Sequence, residues 1–219
     1  MRFALLVWLL FTASLIQAQS LSQADVKNLF GRIRERRASA PDVRADFQEQ
    51  RTIHLLNKPI VSSGKLWFHP PNKFRREVGG NSPSVTVSNG HDLWIYYPNF
   101  KSVEDYSLGK RSPVDAIIAA INTALNLEDV ESTFQISGTK VGNAYELRLL
   151  PRSPSMKRMF QRFDLKLNSD FVVERTDMVQ PGGDQIVTTY SDQTRAPIPE
   201  STFEFTPPAG TQVTSPLGR

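Results

Sequence analysis

The chain of 219 residues is long enough for one full hydrophobic core and too short for two ordinary domains joined by a linker. It is 39% hydrophobic and 22% charged, the balance of a globular protein, and it contains no cysteine. That excludes a disulfide scaffold, a thiolate metal site, a cysteine nucleophile and a lipid-modified N-terminal cysteine. A formal charge of +4 without charge blocks is weak for a nucleic-acid binder, so no such partner is expected.

Residues 1–18 read as a secretory signal to be removed before a single domain over 19–219. Arg2 supplies the positive start, Ala4–Phe11 the apolar stretch, and Ala18 the small residue before the cut. Thr12, Ser14 and Gln17 interrupt the run well short of the roughly 20 apolar residues a membrane span needs. Ser22–Arg37 is then predicted as a helix. Val26, Leu29, Phe30 and Ile33 form one stripe, Ser22 with Asp25 suits the N-terminus, and the Arg32–Arg37 cluster reads as a solvated C-terminal end.

After Pro41 the period changes to two. Val43, Ala45 and Phe47 alternate with polar residues, as in a half-buried strand. Further strands are predicted at 60–69, 73–78, 84–88, 93–97, 102–107, 133–137, 145–150, 159–167, 171–179, 185–190 and 203–205. Turn residues such as Asn89-Gly90 and Pro181-Gly182-Gly183 separate them. Ser112-Pro113 opens a second predicted helix over 114–125, striped by Ile117, Ile118, Ile121 and Leu125. Short strands with short turns predict a large curved antiparallel sheet with two helices covering one face.

Catalytic patterns are scarce. His54, His69 and His91 have no metal-ligand spacing and read as surface or turn residues. Ser62–Lys65 and Ser107–Lys110 fit S-x-x-K, but neither starts a predicted helix and the companion motifs are missing. No enzyme, cofactor or metal is expected; a hydrolase using two carboxylates is the least favoured reading. The stronger signal is apolar surplus. Leu66-Trp67-Phe68 and Trp94-Ile95-Tyr96-Tyr97 are apolar on both strand faces, so both faces must meet helices, more sheet or a greasy ligand.

Three runs carry a family resemblance: Ser63-Gly64-Lys65-Leu66-Trp67-Phe68-His69-Pro70-Pro71-Asn72-Lys73-Phe74, Val87-Ser88-Asn89-Gly90-His91-Asp92-Leu93-Trp94-Ile95-Tyr96-Tyr97-Pro98, and Phe203-Glu204-Phe205-Thr206-Pro207-Pro208-Ala209-Gly210. In order and spacing they resemble the periplasmic outer-membrane lipoprotein carrier family. The resemblance implies a mainly β fold, an incomplete curved antiparallel barrel with helices covering its open mouth. It implies a monomeric periplasmic carrier that shields lipoprotein acyl chains in a hydrophobic cavity. Cargo would come from an inner-membrane ABC-type releasing complex and pass to an outer-membrane acceptor or to the membrane itself. A shuttle for free lipid or a lipid-linked intermediate is the alternative.

On that reading the cavity and its lid are expected among Phe30, Ile33, Phe47, Trp67, Phe74, Trp94, Tyr96, Ile117, Ile118 and Ile121, with strand parity open. Where family members carry an Arg thought to latch the lid, this chain has Pro70, which offers no donor. Arg75 and Arg76 are the substitute latch candidates; they point to opposite faces of one strand, so one is expected to face the cavity and the other solvent.

Overall fold

The computed structural model describes residues 18–109, 127 and 130–216. Helix α1 (Gln23–Ala38) starts as its sequence dictates. The Ser22 hydroxyl accepts from the Asp25 N–H at 3.1 Å, and the Asp25 carboxylate accepts from the Ser22 N–H at 3.0 Å. The Ser22 hydroxyl also donates to the Asp25 carboxylate at 2.6 Å, and this bond first, then the one from the Ser22 N–H, lowers the Asp25 pKa. Val26, Leu29, Phe30 and Ile33 form its buried stripe. The C-terminal turn departs from a solvated end: Arg37 is 8% exposed and donates to the Phe171 carbonyl at 3.3 Å, while Arg32 lies 4.8 Å above the Phe171 ring. Residues 114–125, predicted as the second helix, lie outside the described residues.

The strands are β1 (Ala18–Ser20), β2 (Val43–Thr52), β3 (Ile60–His69), β4 (Lys73–Val78), β5 (Ser84–Asn89), β6 (Asp92–Tyr97) and β7 (Ser102–Ser107). They continue as β8 (Phe134–Val141), β9 (Ala144–Pro151), β10 (Arg162–Leu167), β11 (Val173–Val179), β12 (Gln185–Thr194) and β13 (Gln212–Thr214). All join one sheet in the order β1-β8-β9-β10-β11-β12-β2-β3-β4-β5-β6-β7-β13. Every pairing is antiparallel except β13 on β7. Two meanders, β2–β7 and β8–β12, meet at the β12–β2 seam, where Tyr190 stands opposite Phe47. The terminal strands β1 and β13 do not pair with each other, so the curved sheet stays open.

Two predicted strands are corrected. Residues 203–205 are not a strand: Phe203 ends a 3₁₀ turn (Glu200–Phe203), and the prolines at 197, 199, 207 and 208 lack the N–H groups a ladder requires. The strand predicted from Met159 begins at Arg162, because Ser153 caps a helical turn at Pro154–Lys157 and the Phe160 N–H closes onto Met156 O at 3.0 Å.

Alternation and register divide the sheet into two faces. The inner face, under α1, carries Val43, Ala45 and Phe47 of β2, Leu66 and Phe68 of β3, Phe74 of β4 and Leu93 of β6. From the other meander it carries Phe134, Ile136, Leu147, Leu149, Phe163, Leu165 and Leu167. Gly64 faces Phe47 here, and a Cβ on it would stand 1.8 Å from the Glu77 carbonyl oxygen, so only glycine fits this crossing. On the outer face Val87 and Val103 are also fully buried, which requires a second cover.

Candidate functional site

Following the inner face along the strands away from its α1-covered core, the packing loosens. Val78, Ile95, Tyr106, Met178 and Tyr190 are half-buried against the core rather than enclosed by it. Tyr97 and Ile186 extend the same parity. A few polar groups are set into this apolar surface, each with a partner. Arg76 is paired with Glu49 at 2.9 Å, and its guanidinium lies 4.3 Å above the Phe47 ring. Glu49 also has Arg51 at 3.7 Å. The Tyr106 hydroxyl donates to Glu104 at 2.7 Å; burial first, and then Glu104, push its pKa up to about 12. Tyr97 is raised by burial and by the Glu104 charge. Tyr190, hydrogen-bonded with Thr176 and Thr188, is raised by burial. These phenols stay neutral at physiological pH. The surface is therefore greasy, internally satisfied and suited to contact with hydrocarbon.

The expected site residues separate by face. Phe30, Ile33, Phe47 and Phe74 meet in the inner core. Trp67, Trp94 and Tyr96 have the opposite parity and stand on the outer face. Ile117, Ile118 and Ile121 lie outside the described residues. Arg76 faces inward and Arg75 outward, as their spacing dictates, but Arg75 does not meet open solvent. It is paired with Glu77 at 2.6 Å and reaches the Thr202 carbonyl at 3.4 Å.

Thr202 belongs to the cover of the outer face, a strap formed by the last described residues. Glu200 pairs with Lys73 at 2.6 Å, and Phe203 is buried to 1% exposure beside the His69 ring. The Phe205 ring lies 6.1 Å from Trp94 and 5.9 Å from Tyr96. β13 then adds to β7. Asp42 fastens the approach to this strap. Its carboxylate meets His69 Nδ1 at 2.6 Å and accepts from the Ile198 N–H at 2.7 Å, so His69 is a structural partner and not a plain surface residue.

The first two resemblance-bearing runs interlock as well. Asn72 donates to Gly90 O at 3.1 Å, and Ser88 donates to Asn72 O at 2.9 Å. Asn89 Oδ1 accepts from the N–H groups of His91 and Asp92, each at 2.8 Å, around Gly90 with φ +96°. Sequence reasoning misses Glu49, Glu104, Tyr106 and Tyr190. For Glu49 a signal exists: it continues the inward parity of Val43, Ala45 and Phe47. Among the described residues no cluster of His, Asp or Glu is placed to hold a metal ion.

Comparison with known proteins gives a consistent picture. A profile of the family described as outer membrane lipoprotein carrier protein LolA matches residues 39–206. The chain is similar to the outer-membrane lipoprotein carrier protein of Edwardsiella ictaluri, with 29% identity over 150 residues, 67% of this chain and 68% of that protein. Its similarity to the protein of that name from Yersinia pestis bv. Antiqua runs to 26% over 208 residues, 94% of this chain and 95% of the relative. In fold it resembles an uncharacterized conserved protein from Thermus thermophilus at a TM-score of 0.52 and 13% identity, covering 87% of this chain and 98% of that one.

Proposed function

The chain belongs to the outer membrane lipoprotein carrier family, and from that premise we propose that its inner face takes up lipoprotein acyl chains in the periplasm and shields them on the way to the outer membrane. The observation that carries this reading is the open apolar wall itself, in which Val78, Ile95, Met178 and their neighbours line a concave sheet without being sealed by it. Each CH₂ taken out of water is worth about 0.8 kcal/mol, so a diacyl anchor left free would adhere to any bilayer; a carrier must match that gain and still let go.

Phe30, Ile33, Phe47 and Phe74 form the closed base of this wall, with Ile117, Ile118 and Ile121 as the expected remainder of the lid. Arg76 takes the latch role for which Pro70 has no donor: it is the inward arginine, and turning from Glu49 it would hydrogen-bond a lid carbonyl. Residues 1–18 serve as the export signal and 19–219 as one carrier domain. Loading from an inner-membrane ABC-type complex and delivery to an outer-membrane acceptor complete the route. Binding, not turnover, is the activity.

The test is to purify the exported protein from its native cells and analyse what is bound. Lipoprotein carried with it supports the proposal; free lipid alone would favour a lipid shuttle in its place.

A further inference from the structure

The antiparallel pairing places four loop tips side by side at one edge of the sheet: residues 180–184 between β11 and β12, 53–59 between β2 and β3, 79–83 between β4 and β5, and 98–101 between β6 and β7. That edge holds most of the large apolar side chains exposed among the described residues. Leu55 is 88% exposed and Phe100 80%, with Leu56, Ile60 and Val61 beside Leu55. Ile60 and Val61 are exposed because the β2–β3 hairpin outruns its neighbour. The last contact on the β4 side is Gly79 N–H to Ser63 O at 3.0 Å. At about 4.8 Å per strand, the Leu55 and Phe100 tips are separated by roughly 20 Å along the sheet.

Charge at this edge is one-sided. Lys58 and Lys101 are exposed there, with His54, and Arg51 stands exposed at the end of β2 with Glu49 at 3.7 Å. The one carboxylate within the four tips is Asp184, which accepts from the His54 N–H at 2.8 Å. An apolar side chain at the apex of a hairpin, flanked by cations and standing clear of the body, suits a soft, anionic, greasy surface better than a protein groove.

We propose that this rim docks on the headgroup region of an anionic lipid bilayer, with Leu55, Leu56 and Phe100 entering the acyl boundary and Arg51, Lys58 and Lys101 meeting lipid phosphates. The contact leaves the protein lying on the membrane and does not depend on what the inner face carries.

The experiment is co-sedimentation of the exported, cargo-free protein with vesicles of phosphatidylglycerol and phosphatidylcholine in equal parts, and with vesicles of phosphatidylcholine alone. The mixed vesicles are expected to bind it at low salt and release it as salt is raised. Leu55→Ser with Leu56→Ser should weaken binding about tenfold or more, and Lys58→Glu with Lys101→Glu should remove the preference for phosphatidylglycerol. All four positions are exposed, so thermal melts should match the parent. The proposal falls if the parent ignores the mixed vesicles or if the leucine variant binds them equally well. It also falls if rim variants block cargo transfer to a purified protein acceptor while no vesicle binding is seen. That pattern would make the rim a protein-docking surface. Because no cargo is present in the vesicle assay, its failure leaves the carrier reading standing.

Discussion

Arg75 and Arg76 are neighbours in sequence with different energetic settings. Arg76 and Glu49 are both mostly buried on the inner face, and removing the arginine leaves a carboxylate short of a partner. Arg76→Leu is expected to cost about 1–3 kcal/mol in urea denaturation and to change the rate of cargo release. Arg75→Leu loses a more exposed pair and a long hydrogen bond, so its cost should stay below about 1 kcal/mol with release unaltered. Equal, small effects on release would mean that Arg76 latches nothing. The inner tyrosines make a second prediction. Tyr106 keeps its proton in the folded chain up to about pH 12, whereas in the unfolded chain it loses it near its ordinary value of 10.0. Its contribution is thus intact below pH 10 and fades as pH rises towards 12. Partial exposure keeps the effect small. A phenolate absorbance titration should show a late-ionising class that merges with the rest in denaturant.

The strap is the element whose place the sequence conceals. Trp94 and Tyr96 suggest a ligand wall because their strand is apolar on both sides, yet the apolar partner on their face is Phe205, from more than a hundred residues later. Strand alternation carries only local parity, and it cannot tell a face covered by the chain's own end from a face left for a guest. The helix and most strands are legible because caps, turns and two-residue alternation are local signals. The 3₁₀ turn in place of a strand at Phe203 is not, since the prolines around it read as strand flanks as readily as ladder breakers. The element has its own test. Phe203→Ala should cost about 3–5 kcal/mol, as for any fully buried aromatic. Phe205→Ala should shift tryptophan emission to longer wavelength while cargo loading persists. Loss of loading in a folded Phe205→Ala protein would move the strap into the cargo path.

At the scale of the whole molecule, curvature follows from one ribbon of strands that α1 covers on one side and the strap on the other. The family motifs are legible in sequence because they sit where distant segments must interlock, at Asn72 with Gly90 and at His69 with Asp42 and Phe203. The inner polar groups are less legible: parity with Val43, Ala45 and Phe47 points Glu49 inward, but nothing local distinguishes Tyr190 from a solvent-facing residue until β12 is laid against β2. That seam also governs timing. The first strand of one meander pairs with the last strand of the other, so β2 waits for almost the entire polypeptide before its second neighbour exists. Pairing at such a distance is slow to nucleate. A chain emerging N-terminus first through a translocation pore would have β3 to β7 in hand, but neither seam nor strap. It would therefore be born as a half-wall that has α1 but lacks the strap over its outer face, vulnerable to proteases and unable to take a passenger until its final residues cleared the membrane.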